Sequence, residues 1–126
     1  MDLSIVIVNW NSGDQLRECL ASIGASAAQL PSGCALQDVV VVDNGSTDGS
    51  DQGLSEQCSR VHLVRNAANR GFAAACNQGA AGLRSELILF LNPDTRLFDN
   101  SLAAPVKLLQ LEGHVRTGIV GIAMVD

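Results

Sequence analysis

The sequence predicts an α/β domain built on a doubly wound, mostly parallel sheet, and three observations carry that reading. Residues 3–8 (LSIVIV), 39–42 (VVVV), 61–64 (VHLV) and 87–91 (LILFL) are short aliphatic runs almost free of charge, as strands buried on both faces are. Stretches with helical spacing of apolar residues separate them, and alternating strands and helices mean parallel pairing through right-handed crossovers. Each run also ends in a cluster of small polar residues, which places the polar groups at one end of the sheet. The 126 residues are 47% hydrophobic, enough for one domain with a real core.

The first strand run stops at Asn9-Trp10-Asn11-Ser12-Gly13. A helix follows, with Ser12 as its expected N-cap, Asp14 in the first turn and a stripe of Leu16, Cys19, Leu20 and Ile23. Residues 24–33 read as a loop. The second run ends at Asp43-Asn44-Gly45-Ser46-Thr47-Asp48-Gly49, and a weak helix is expected over 51–57. The third run closes at Arg65-Asn66. Gly71 opens an alanine-rich helix to about residue 83, interrupted by Gly79 and Gly82. Small residues there let a helix lie close to a sheet, at some loss of intrinsic helix stability. The fourth run ends at Asn92-Pro93-Asp94. Asn100 or Ser101 is the expected cap of a last helix carrying Leu102, Val106 and Leu109, with Pro105 near its start. Residues 117–125 read as a fifth strand. With no helix after it to cover that edge, the chain is expected to be the first part of a longer protein and to self-associate through the open strand.

Composition excludes several classes. Net charge is −5, with one Trp and three Phe, which lacks the basic footprint of a nucleic-acid binder. Cys19, Cys34, Cys58 and Cys76 include no CxxC pair, so zinc has no motif to stand on. An even number would permit two disulfides in a secreted protein. However, Met1-Asp2 offers no basic stretch before an apolar run, and Cys19 and Cys76 fall on apolar helical positions, so reduced core cysteines in a cytosolic protein are the reading. No apolar run approaches the roughly 20 residues of a membrane span.

Chemistry is expected at the carboxyl ends of the strands, where open α/β sheets bind ligands. Asn9–Asn11, Asp43–Ser46, Asn66–Gly71 and Asn92–Thr95 supply that rim. Any one of these loops is explained as a turn; the four together point to a ligand site, with the carboxylates of Asp43 and Asp94 each directly after a buried strand. No GxGxxG follows the first strand and no GxxxxGK[ST] occurs. The calcium-loop imitation ending in Gly49 lacks its twelfth-position Glu, which falls on Ser55. There is no GxSxG elbow. His62 and His114 read as structural or solvated.

The segments SIVIVNWNS (4–12), VVVDNGSTDGS (40–50), NRGFAAACNQG (69–79) and LFLNPDT (89–95) together resemble the family 2 glycosyltransferases, inverting enzymes of the GT-A fold that use nucleotide-diphosphate sugars. NPD and GFAAACN most resemble the rhamnosyltransferase-like branch. The resemblance spans nearly the whole chain and implies strand order 3-2-1-4, with residues 1–126 forming the donor-binding part of a GT-A domain. It implies that Asp43 accepts a hydrogen bond from a pyrimidine base of a UDP- or dTDP-linked donor and that Asn9 helps hold the base. Asn9 and Asn11 would face Asn92 and Asp94 across the crevice. Asn69, Gly71, Phe72 and Asn77 would shape the nucleotide pocket. Asp94 would ligate Mg2+ or Mn2+, while Asn92 stands where the family's Asp-x-Asp motif has an Asp, removing a charge from the metal site. The general base would lie in an acceptor half absent from this chain; Glu112 and Asp126 sit in no recognisable base motif. The resemblance implies a metal-assisted transferase acting with inversion on a glycan or lipid-linked acceptor, in the cytoplasm or peripherally at the inner membrane face, as in bacterial polysaccharide assembly. The alternatives are a non-catalytic nucleotide-sugar-binding module or inactive fragment, and an unrelated α/β fold whose rim loops are only turns.

Overall fold

The computed structural model describes residues 1–111 and 116–125. Its elements are β1 (Asp2–Asn9), α1 (Gln15–Ala27), β2 (Ala35–Asp43), a 3-10 turn (Leu54–Glu56), β3 (Val61–Arg65), α2 (Phe72–Ala80), β4 (Leu87–Leu91) and α3 (Ala103–Gln110). The four strands form one sheet of order β3-β2-β1-β4, and every pair is parallel. This is the expected order.

Alternation along the strands sorts side chains onto two faces. Leu3, Ile5 and Ile7 of β1 and Val39 and Val41 of β2 join Leu16, Cys19, Leu20 and Ile23 of α1 and Leu102 in the larger core. Val8, Val40 and Val42 point the other way and meet Ala75 of α2. α2 sits close against that face: a Cβ built on Gly79 would lie 2.6 Å from Val6 Cγ1 and 3.0 Å from Val42 Cγ2. On the same face, beyond α2, Ile88 and Phe90 of β4 are exposed.

Several boundaries differ from the sequence reading for local reasons. β2 begins at Ala35 rather than Val39 because its first residues pair with Asp2 and Leu3, with a register shift between Leu3 and Ile5. Ser12 does not cap α1; the N-cap is Asp14, without a side-chain bond, and the Ser12 hydroxyl donates to Asn9 Oδ1. The helix expected over 51–57 shrinks to one 3-10 turn because Gly53, inside that stretch, takes the left-handed conformation, φ 66°, and becomes the N-cap of the turn. α2 ends at Ala80, before Gly82. Neither Asn100 nor Ser101 caps α3, whose N-cap is Leu102; the Ser101 hydroxyl instead accepts the Phe98 N–H at 2.8 Å. Residues 117–125 form no strand, so the outer edge of the sheet belongs to β4, which pairs with β1 alone among the described residues. His114, Glu112 and Asp126 lie outside the described residues. All four cysteines are free thiols, and His62 is exposed beside Asp38 at 3.0 Å.

Candidate nucleotide and metal site

The chain runs β1, β2, β3 outward in one direction and then returns to place β4 on the other side of β1. The strand order reverses between β1 and β4, and the carboxyl end of an open α/β sheet at such a switch point is where a ligand is taken. The turn after β4 runs onto α1, where the Leu97 N–H donates to Ser22 Oγ at 3.0 Å. β1 runs level with β2 to Asn9↔Asp43, whereas β4 leaves the ladder at Leu91, opposite Ile7. β4 consequently ends two residues below the end of β1, and its turn begins at Asn92.

Asn9 ends β1 and is 0% exposed. Its Nδ2 lies 2.9 Å from Asp43 Oδ1 and 2.9 Å from Ser50 Oγ, with Ser46 Oγ at 3.3 Å, and its backbone carbonyl accepts the Asn44 N–H at 2.8 Å. Asp43 is 2% exposed. Besides Asn9, its carboxylate accepts the Ser46 hydroxyl at 2.6 Å and the N–H groups of Ser46 and Gly45 at 2.9 and 3.2 Å. The side chains of Asn9 and Asp43 thus meet each other beneath the rim. A base reaching Asp43 would share an oxygen already bonded within the turn.

Further bonds stitch the two loops together. The Asn11 N–H donates to Ser46 Oγ at 2.9 Å and Asn11 Oδ1 accepts the Thr47 N–H at 2.8 Å, an arrangement that uses the left-handed conformation of Asn11, φ 49°. Asp48 accepts the N–H of Gly13 at 2.9 Å and of Ser50 at 3.0 Å. The Ser50 hydroxyl first, then these N–H groups, hold its carboxyl below the ordinary 3.8. Sequence reading singled out Asp43 and Asn9 and counted Ser46 in the rim, but passed over Asp48 and Ser50, which close the network. Ser and Asp at every second or third position after a buried strand was the signal for them.

Trp10, between Asn9 and Asn11, is 56% exposed, and Phe72 at the start of α2 is 59% exposed. Two aromatic rings therefore stand at the carboxyl rim, and Trp10 was not singled out from the sequence. Gly71 precedes α2 with φ 86°, and its N–H donates to Asn69 Oδ1 at 2.8 Å. Asn77 is exposed five residues into α2, about 8 Å along the axis from Phe72, and the structure does not tie it to the rim.

The Asn92–Thr95 turn is closed by the Thr95 hydroxyl, which donates to the Asn92 carbonyl at 2.6 Å. Cys19 lies beneath it, its Sγ 3.7 Å from that carbonyl, and burial pushes its thiol up to about 11. Asn92 and Asp94 are both exposed. Asp94, Thr95 and Arg96 line an open depression of about 290 Å3 with Gln15 and Glu18 of α1, where Arg96 and Glu18 pair at 3.0 Å. Among the described residues no three His, Cys, Asp or Glu side chains converge as a metal cage. A single exposed carboxylate fits a hard cation that takes its remaining oxygens from a phosphate ligand and water.

Residues 4–123 match the glycosyl transferase family 2 domain. The chain is 34% identical over 115 residues to the succinoglycan biosynthesis protein ExoU of Rhizobium meliloti, covering 89% of this chain and 31% of that protein. It is 28% identical over 113 residues to the N-acetylglucosaminyl-diphospho-decaprenol L-rhamnosyltransferase of Mycobacterium tuberculosis, covering 81% and 35%. The chain therefore spans about a third of the length of these curated relatives. The fold aligns with a mannosyltransferase from Pyrobaculum calidifontis in complex with GDP-Man and Mn2+ at TM-score 0.75 and 25% identity, covering 87% of this chain and 32% of that one. It also aligns with S. aureus TarS in complex with UDP-GlcNAc at TM-score 0.72 and 22% identity, covering 86% and 31%. With the matched domain running almost end to end, the chain belongs to glycosyl transferase family 2.

Proposed function

We propose that this chain binds the donor for a metal-assisted, inverting transfer of a sugar from a nucleotide diphosphate to a glycan or lipid-linked acceptor. The observation that carries the reading is the exposed Asp94 carboxylate on the turn after β4, at the switch point of a family 2 fold. Asp94 would hold Mg2+ or Mn2+, with Asn92 beside it offering an amide to a ribose hydroxyl. A divalent cation, when bound, offsets the charge developing on a departing diphosphate. Asp43, with Asn9 and Asn11 fixing its loop, would meet the base of a UDP- or dTDP-linked donor. Asn69, Gly71 and Phe72 would form the α2 side of the nucleotide pocket, and Trp10 would add an aromatic wall.

Inverting transfer also needs a base to take the acceptor proton. Of the rim carboxylates, Asp43 and Asp48 are held by loop N–H and hydroxyl groups, Glu18 pairs with Arg96, and Asp94 is assigned to the metal. We therefore place the general base outside these residues. The same observation supports a second reading, that these 126 residues bind a nucleotide sugar without turning it over. A rhamnosyl donor is favoured by the mycobacterial relative, and self-association is assigned to the open edge of β4. Cytoplasmic placement, peripheral to the inner membrane face, accords with lipid-linked acceptors; no helix among the described residues is long and apolar enough to cross a membrane.

The test is a thermal-shift panel with UDP, dTDP, GDP and ADP, each with and without Mn2+. A ligand at 100 times its dissociation constant adds about 2.7 kcal/mol to the folded state, a shift of several degrees in a domain of this size. Stabilisation by one pyrimidine diphosphate, dependent on metal and lost in Asp94→Ala, is expected. No shift with any nucleotide, or an Asp94→Ala variant indistinguishable from wild type, overturns the assignment.

A further inference from the structure

Three side-chain amides given no role so far bind one another and one turn of backbone. Asn44, immediately after β2, is 2% exposed. Its Oδ1 accepts the Arg70 N–H at 3.3 Å, and its Nδ2 donates to the Gly71 carbonyl at 3.3 Å. One amide thus holds both polar groups flanking the Arg70–Gly71 peptide, and the Gly71 carbonyl also accepts the Ala75 N–H that begins α2, at 3.2 Å. Asn44 is itself oriented by Asn66, whose Nδ2 donates to Asn44 Oδ1 at 3.1 Å. Asn66 is oriented in turn by Gln78 of α2 through a reciprocal pair: Asn66 Nδ2 to Gln78 Oε1 at 2.8 Å, and Gln78 Nε2 to Asn66 Oδ1 at 2.9 Å.

An independent feature holds the same turn. Gly45 adopts φ 84°, and a Cβ there would lie 3.2 Å from Ala68 Cα and 3.3 Å from its carbonyl carbon. The loop after β2 and the loop after β3 therefore touch backbone to backbone, with the amide chain closing over them. The chemistry explains the residue types. Position 44 must accept from Arg70 and Asn66 while donating to Gly71, which an amide does and a carboxylate does not. Position 78 must both give and take a hydrogen bond with Asn66, again the property of an amide.

We propose that Asn44, Asn66 and Gln78 are positioning residues that set the height of the Asn69–Gly71 turn over the crevice, and so set nucleotide affinity without touching the nucleotide. The inference rests on the nucleotide-binding reading above. Gln78 is only partly buried and sits apart from the main hydrophobic core, so its loss should move the turn more than it moves global stability. Gln78→Met removes both hydrogen bonds that orient Asn66. Loss of two ordinary hydrogen bonds behind the turn is expected to lower nucleotide affinity about tenfold.

The experiment compares the full chain with Gln78→Met and Gln78→Glu. It follows nucleoside diphosphate affinity by titration with Mn2+ present, amide hydrogen exchange in the peptide spanning 66–72, and melting temperature. The expected result for Gln78→Met is an affinity about tenfold weaker, faster exchange across 66–72, and a melting temperature within a few degrees of wild type. Gln78→Glu, which while ionised still accepts from Asn66 Nδ2 but cannot donate to its Oδ1, should show part of that effect at neutral pH. Its exchange in that peptide should return toward wild type near pH 4, where a protonated carboxyl donates again. Exchange unchanged in both variants overturns the clamp. Faster exchange with undiminished affinity overturns its role in binding. If exchange rises but wild type itself binds no nucleotide, the site reading fails and the affinity role falls with it, while the exchange data still identify what holds the turn.

Discussion

Replacing Asn9 by Asp tests the buried junction at the end of β1, because it preserves shape and changes only charge and donor capacity. Asn9 Nδ2 stands 2.9 Å from Asp43 Oδ1, and the two residues are 0% and 2% exposed. In the variant a carboxyl oxygen replaces that donor, so two carboxyl groups meet at hydrogen-bond distance away from water. Like charges this close do not both ionise, and one proton stays between them. A shift of about three units for the introduced group, ordinary for such a site, costs about 4 kcal/mol at 1.36 kcal/mol per unit. Whole domains are stable by about 5–15 kcal/mol, so this is a large fraction.

The pH dependence has a definite sign. The folded variant keeps a proton that its unfolded chain releases above about pH 4, so its stability falls as pH rises through that window and levels off beyond the raised value. Urea unfolding of wild type and Asn9→Asp, followed by circular dichroism in steps from pH 4.5 to 8, reads the difference directly. The gap should widen with pH and then flatten. A gap constant across the series, or within about 0.5 kcal/mol throughout as at an ordinary surface site, would refute the contact between Asn9 and Asp43.

Three further outcomes are expected. Gly79→Ala places a methyl 2.6 Å from Val6 Cγ1; overpacking costs about 1–3 kcal/mol against about 0.5–1 gained from helix propensity, so the urea midpoint should drop, and a more stable variant would show that α2 does not sit that close. Asp48 is held below its ordinary value by Ser50 and Gly13, so its contribution is present above the carboxylate range and lost as pH falls through the lowered folded-state value; Asp48→Asn should show a shallower acid limb than wild type in the same unfolding series. Cys19 is fully buried with its thiol pushed up to about 11, so alkylation of the native chain at pH 8, read by mass spectrometry, should label the partly buried Cys34, Cys58 and Cys76 well before it.

The strands were legible because aliphatic, β-branched runs ending in polar clusters have few other uses, and β4 coincides with its run from Leu87 to Leu91. Residues 117–125 carry a similar composition and yet form no strand, since a strand is made by its partner and the pattern alone does not supply one. The glycine at 53 was visible, but its left-handed conformation, which cuts the expected helix to one turn, was not. At the site, residue types were readable and directions were not. Asn9 and Asn92 look alike in sequence. Yet one is buried under the rim with its amide bound on all sides, and the other is exposed on a turn. Asn44, next to Asp43, read as part of a tight turn, and only the packing of α2 brings Gln78 within reach of Asn66 to reveal the amide chain.

The bonds joining the loop after β1 to the loop after β2 also bear on time. A surface whose turns are already fixed by buried partners has no closing motion to wait for, and little segmental entropy to surrender when occupied. Under the proposed function, encounter with a nucleotide would then be governed by diffusion and charge, and arrival rates should differ little among related nucleotides. Discrimination between them would be written in how long each remains, with residence time carrying the difference in affinity.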